Sequence, residues 1–429
     1  MDIGWKMVRR PGGLLLAALV VVLMVMVTAC GGGTSSKDKT ATAAAKGGTP
    51  SATKAGATVA ATSGTTAGGT ITIKKGDPIK IGISTTLTTD NAQLGMPIRD
   101  AALLTIKDKG TIKGFAIEGD PQDDLCSGPG SVTAAQKLVA DKVVAVLGAM
   151  CSSGTVAALD TYAKENLLVI SSSSTAVPVT QQGKKNFFRT AWNDATQGGE
   201  MAKYALSTLN KKNAVLVNDQ SVYGKGLMDV FNKSYTDSGG KVLSQEAVTV
   251  GEKDFSPVVT KIKGENPDIV VFGGFIAEGA VLVRQLRDAG VTATFMGADG
   301  VADQKFIDQA GGAAEGAYVS RGPTPTDTTV YDKFAKEYEA AYNKAQVDQF
   351  ADYTYDAVNV MLTAIEQVAT VDGSGNLVID KQKLIDAVRA SKANGASGQI
   401  SFNDVGDRTV VGVVNRIDQV TGGKLVRIQ

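Results

Sequence analysis

Histidine is absent from this chain, so its candidate chemistry rests on serines, threonines and a few acids. Cys151-Ser152-Ser153-Gly154 follows an apolar run and opens a segment with helical spacing, Val156 to Ala163. The first turn of a helix has unpaired N–H groups and a partial positive charge, which suits a carboxylate, and Ser152 adds a hydroxyl donor. Ser173 and Thr175, in the run Ser171-Ser172-Ser173-Ser174-Thr175, supply further backbone and hydroxyl contacts. Asp299 lies between Gly297 and Gly300, where the backbone can be approached closely. Its carboxylate suits an ammonium through a charge-assisted hydrogen bond. Together these groups form a clamp for a zwitterion. A hydrogen bond to a charged group contributes about 1.5–3 kcal/mol net, so three or four give tight binding. Each stretch alone also reads as a turn or helix cap; their agreement across several strand ends points to a site.

The same composition argues against catalysis. Without histidine the commonest general base and the commonest transition-metal ligand are missing, and the 3 cysteines do not complete a four-thiolate zinc site. No G-x-S-x-G elbow, P-loop or metal-ligand cluster stands out, and the S-x-x-K match at Ser51-Ala52-Thr53-Lys54 lies in a low-complexity stretch. The expectation is a binding protein, not an enzyme, with no metal and no cofactor. A formal charge of +1 offers no basic field for nucleic acid.

The elements that position these residues are short buried strands and amphipathic helices. Ile79 to Ile83, Val143 to Leu147, Leu167 to Ile170, Ala214 to Val217 and Ile269 to Phe272 are continuous β-branched runs, which implies burial on both faces. Each is followed by small polar residues and then by helical spacing, as in Ala134 to Asp141, Gly226 to Ser238, Ala277 to Ala289 and Val330 to Tyr342. That alternation predicts βαβ units and a doubly wound parallel α/β fold. A chain of 429 residues suits two such lobes. In parallel sheets the ligand site lies beyond the carboxyl ends of the strands, where the clamp residues fall.

The N-terminus reads as an address. Lys6, Arg9 and Arg10 precede an apolar run, Leu14 to Val27, too short for a comfortable membrane span. Val27-Thr28-Ala29-Cys30 resembles a bacterial lipobox, which makes 1–29 a lipoprotein signal peptide and Cys30 the lipidated residue. Residues 30–69 are rich in Gly, Ala, Thr and Ser, too poor in large apolar groups to offset the entropy of folding, and are expected to be a flexible tether. Cys126 and Cys151 then remain; in an oxidising compartment they read as a disulfide, with two reduced thiols the alternative.

From Pro78 onward the chain resembles the type I periplasmic binding proteins, in the branch of the leucine/isoleucine/valine-binding protein. The resemblance rests on Asp123-Asp124-Leu125-Cys126, Cys151-Ser152-Ser153-Gly154-Thr155, Phe188-Arg189-Thr190 with Asp194 and Gln197-Gly198, Tyr223-Gly224-Lys225-Gly226, Gly251-Glu252-Lys253-Asp254-Phe255 and Phe295 to Ala302. It implies two Rossmann-like lobes joined by a three-crossover hinge: 78–193 plus 323–401, and 194–322 plus 402–429. It also implies the disulfide between Cys126 and Cys151. Ser152, Ser173 and Thr175 would hold the ligand carboxylate and neighbouring groups, Tyr223 would close over the ligand, and Asp299 would take the ammonium. Leu94, Met150 and Phe275 would form a side-chain pocket; Leu94 and Phe275 stand where tyrosines are common, so that wall loses hydroxyls and suits an apolar side chain. The implied function is an extracytoplasmic, monomeric substrate-binding lipoprotein of an ABC importer. It would be anchored to the outer face of the membrane and deliver an amino acid, branched-chain or otherwise apolar, to permease subunits. A signalling receptor of the same fold, or a binder of small amides or carboxylates, is the alternative.

Overall fold

The structure, a computed structural model, describes residues 69–409 and 413–429. Cys30 and the signal and tether segments lie outside the described residues.

The β-branched runs become the strands of two sheets. The chain begins with β1 (Thr70–Ile73), β2 (Ile79–Thr85), α1 (Ala92–Lys109), β3 (Thr111–Ile112), β4 (Phe115–Asp123) and α2 (Gly128–Ala140). It continues through β5 (Ala145–Leu147), α3 (Ser152–Lys164), β6 (Leu168–Ser171) and β7 (Phe187–Arg189). The first sheet has the order β3-β4-β2-β5-β6-β7 and is parallel except for β3.

The second sheet is built after α4 (Asp194–Lys203). β8 (Asn213–Asn218), α5 (Val222–Asp237), β9 (Lys241–Ala247), α6 (Ser256–Glu265), β10 (Ile269–Gly273), α7 (Ile276–Asp288), β11 (Thr294–Gly297), α8 (Gln304–Ala310) and β12 (Tyr318–Pro325) follow in turn. The chain then packs beside the first sheet with α9 (Thr329–Tyr342), α10 (Ala351–Val368), β13 (Thr370–Val371), β14 (Leu377–Asp380), α11 (Lys381–Arg389), β15 (Ala393–Gly395) and β16 (Gly398–Ile400); β1, β14 and β13 make a small sheet of their own, and β15 pairs with β16. It ends in the second sheet as β17 (Val413–Thr421) and β18 (Lys424–Arg427), giving the order β18-β17-β12-β11-β10-β8-β9. There β17 pairs antiparallel with β12 and β18, while β8 to β12 pair in parallel. The chain thus passes three times between the sheets.

Burial on both faces explains the unbroken apolar strands. Val146, Val169 and Phe187 pack with Leu138 and Leu159 on the side of α2 and α3. Their neighbours Leu147, Ile170 and Phe188 join the cluster on the opposite side, where α1 and α10 lie. At the crossings, Trp192 stacks on Phe350 at 5.6 Å and meets Tyr353 edge-on at 5.1 Å. Thr190 donates to the Tyr353 carbonyl at 2.8 Å. Regular structure also occurs before Pro78. β1 pairs antiparallel with β14, from Thr70 opposite Asp380 to Ile73 opposite Leu377. Its sequence, Thr-Ile-Thr-Ile, alternates over only four residues and continues the Thr-rich composition upstream, so no clear signal separates it from the stretch before.

Candidate functional site

The site is assembled where strands of both sheets end and helices begin. β5 ends at Leu147 and is followed by Gly148 at φ +122, where a Cβ would come within 2.1 Å of the Ser84 carbonyl oxygen. Only glycine fits so close an approach. The loop 149–151 then leads into α3, with Cys151 in the capping position but giving no side-chain cap. The first-turn amides are therefore left facing outward with the positive end of the helix dipole.

This loop is held in place by a carboxylate that the sequence reasoning did not single out. Asp124 is fully buried; its Oδ2 accepts from Met150 N–H at 2.8 Å, and its Oδ1 accepts from Thr86 Oγ1 at 2.6 Å and Cys126 N–H at 3.0 Å. Burial raises its pKa, and the three hydrogen bonds oppose that rise. Cys126 and Cys151 form a disulfide with their Cα atoms 5.1 Å apart. Asp124 and the disulfide therefore tie the end of β4 to the start of α3.

The serine run after β6 has two tasks. Ser171 and Ser174 donate to the Ala149 carbonyl at 2.9 and 3.0 Å, which fixes the loop. Ser173 donates to the Met150 carbonyl at 2.9 Å, leaving its oxygen lone pairs as acceptors. Ser152 Oγ accepts from Ala176 N–H at 3.3 Å.

From the second sheet come Tyr223, at the start of α5, and Asp299, just after β11. The Tyr223 hydroxyl donates to Asp299 Oδ1 at 2.8 Å and accepts from Gly300 N–H at 3.0 Å. A side chain at Gly300 would meet the Gly274 carbonyl oxygen at 2.3 Å and the Tyr223 ring at 2.9 Å. Both Asp299 and Tyr223 are buried. Burial pushes the Asp299 carboxyl up to about 6, against the hydrogen bonds from Tyr223 and Gln197. Burial, the Asp299 charge and the Asp194 charge hold the Tyr223 phenol far above its ordinary value.

Leu94, Met150, Ser152, Ser173, Tyr223, Phe275 and Asp299 converge on one narrow void of about 20 Å³ between the two sheets, together with Cys151, Gly300 and Phe350. Thr175 does not line it. Its hydroxyl is buried behind the wall, beside Asp194, and has no hydrogen-bond partner of normal length. Asp194 opens α4 and is fully buried; neither carboxylate oxygen receives a hydrogen bond of normal length. A larger groove lies at the opposite end of the first sheet, bordered by β1, Lys80, Lys142 and Lys381. It lacks the convergence of buried acid, hydroxyls and apolar wall found in the smaller void.

Phe350 escaped the sequence reasoning. It precedes α10 at φ +67, a conformation rare for an aromatic residue, and its ring completes the apolar wall while stacking on Trp192. No periodicity marks such a residue. The two lobes also touch directly at the rim: Val222 N–H donates to Ser153 Oγ at 3.1 Å, and Lys253 lies 3.8 Å from Asp90.

Two α/β lobes with a polar-and-apolar void at the strand ends define a ligand-binding protein that closes around its solute. The chain belongs to the periplasmic binding protein family, whose model matches residues 78–413. The leucine-specific-binding protein of Salmonella typhimurium is 33% identical over 337 residues, covering 77% of this chain and 88% of that one. Among solved structures, a leucine-binding protein from Thermotoga maritima superposes with a TM-score of 0.75 at 26% identity, over 82% of this chain and 98% of that one. A branched-chain amino acid transporter substrate-binding protein from Streptococcus pneumoniae, in complex with isoleucine, gives 0.72 at 26% identity, over 82% and 99%. These relatives make the fold that of the type I periplasmic binding proteins and set the chain in the context of ABC-transporter solute binding. Among the described residues, no helix is long and apolar enough to cross a membrane.

Proposed function

We propose that this chain is the extracytoplasmic substrate-binding lipoprotein of an ABC importer, and that its cleft closes on an amino acid with an apolar side chain. The observation that carries this reading is Asp299, buried with Tyr223 against a wall of Leu94, Met150, Phe275 and Phe350. A buried acid in an apolar cleft calls for a cation, and an apolar wall beside it calls for a hydrocarbon side chain. Ser152 and the first turn of α3 take the α-carboxylate, and Ser173 offers its lone pairs; Thr175 stands behind the wall and does not reach the ligand. The relatives named for leucine, and the neighbour bound to isoleucine, support a branched side chain.

In this reading the lobes are 78–193 plus 323–401 and 194–322 plus 402–429. What supports that division is that the first sheet ends at Arg189 and the second begins at Asn213. β12 extends to Pro325, and Asp407 pairs back to Arg189 at 2.6 Å, so the second and third boundaries of this reading fall close to elements shared by both lobes. Ligand bridges the lobes and shifts an open–closed equilibrium towards the closed form, which a monomer anchored through Cys30 presents to its permease. The cleft performs no chemistry on its ligand.

The test is a thermal-shift panel of the full chain against the common amino acids, small amides and carboxylates. Leucine, isoleucine and valine should raise the melting temperature, by about 4 kcal/mol of added stability at 1,000 times Kd. Shifts only from ligands lacking an ammonium would overturn the amino-acid reading.

A further inference from the structure

Trp192 lies between β7 and α4, where the chain first passes from one sheet to the other, and it is buried. Several elements pack on its ring. Phe350 stacks on it at 5.6 Å, with the two planes 16° apart. Gly322 lies against it from β12, the strand by which the chain leaves the second sheet. A Cβ at Gly322 would collide with Cζ3 of the indole and come within 2.6 Å of Cε3 and Cη2. The indole N–H donates to Gln197 Oε1, on α4, at 2.9 Å. Tyr353, which meets the ring edge-on at 5.1 Å, gathers the rest of the hinge. Its carbonyl accepts from Thr190 Oγ1, and its hydroxyl donates to the Pro323 carbonyl. Its ring also faces the Arg408 guanidinium at 5.6 Å, from the segment between β16 and β17.

Only Phe350 of this cluster lines the void. Its backbone sits at φ +67, which an aromatic residue keeps only where its surroundings hold it there. The stack on Trp192 is part of that constraint and sets where the Phe350 ring meets the void. An aromatic pair alone would be ordinary packing. This pair differs because the same indole rests on β12, whose path between the lobes changes when they swing. We propose that Trp192 is a positioning residue: it holds the Phe350 ring at the ligand wall and, through its contact with Gly322, links occupancy of the void to the path of β12 through the hinge. Affinity then depends on a contact that the ligand never touches.

This inference rests on the reading that an amino acid closes the cleft, and one set of measurements separates the two. L-leucine is titrated into the full chain by calorimetry while tryptophan emission is followed in parallel. The chain has 2 tryptophans, Trp5 and Trp192, so the emission of Trp192→Leu is subtracted to isolate that of Trp192. The Trp192 emission should change with the same midpoint as the calorimetric titration. Leucine binding with unchanged emission overturns the coupling and leaves the amino-acid reading intact. No binding of leucine or any other common amino acid overturns both. A double-mutant cycle then tests the route. Gly322→Ala should displace the indole and weaken leucine binding about fivefold or more, but cost less than about twofold in the Trp192→Leu background, where no indole remains to displace. Equal losses in both backgrounds, or none in either, overturn the assignment, with circular dichroism showing each variant folded. The emission of the unmodified chain decides the matter even if a variant does not fold.

Discussion

The amide of Val222 donates to Ser153 Oγ across the cleft at 3.1 Å, so the first turns of α5 and α3 meet end to end. The two helices point their positive ends at one place. A carboxylate held there would be attracted by both, and the Ser153 contact adds a direct tie between the lobes. Ser153→Ala should speed ligand dissociation about two- to tenfold, the worth of one neutral hydrogen bond, with little change in melting temperature. Stopped-flow release of bound ligand measures it. An unchanged dissociation rate would show that closure does not use this contact.

Tyr223 and Asp299 should be separable by mutation. Asp299→Ala removes the acid and should weaken amino-acid binding more than tenfold, from the loss of a charge-assisted hydrogen bond. Tyr223→Phe keeps the ring against Phe275, 5.4 Å away, but frees Asp299 Oδ1 and the Gly300 amide. It should cost less than Asp299→Ala. Calorimetric affinities of both variants decide the order.

The buried carboxyls set an unusual pH profile for the unliganded protein. Asp219, Asp299 and Asp356 are each pushed by burial to about 6 from 3.8. Between those values the folded state binds more protons than the unfolded state, so stability falls as pH rises through the window. Asp123 and Asp268, held low by hydrogen bonds despite partial burial, act in the opposite sense and lose their contribution as pH falls below 3.8. The melting temperature without ligand should therefore decline from about pH 4 to a little above pH 6. Saturating amino acid should flatten the part due to Asp299. Scanning calorimetry across that range checks both.

Cys30→Ser should release the chain from membranes. In a fractionation experiment, protein that stays membrane-bound through high salt and carbonate washing would contradict a lipid anchor at that residue.

Much of the fold was legible because its signals are local. The apolar runs at Ile79, Val143, Leu167, Ala214 and Ile269 each became a parallel strand, since strands buried on both faces need continuous apolar sequence. The antiparallel edge strand β18, whose residues are exposed or half-buried, carries no such run. Most of the candidate site was legible because Ser152, Ser173 and Asp299 follow strands, where parallel sheets place ligands. Three contributors were not. Phe350 reaches the void from a chain segment more than fifty positions downstream of Asp299. Asp124 acts through Met150 and Thr86. Asp194 looks like an ordinary first-turn acid of a helix until its burial is known.

The pairing of β1 with β14 determines how mechanical load enters the molecule. β1 borders the starts of β2 and β5, at the end of the first sheet remote from the void. A pull arriving along the chain at Thr70 is shared at once with Asp380, in a segment more than three hundred positions later that packs on the same sheet. The force ends within one lobe and never crosses the hinge. The second lobe is left mechanically unloaded, free to swing as though the first were bolted to a wall.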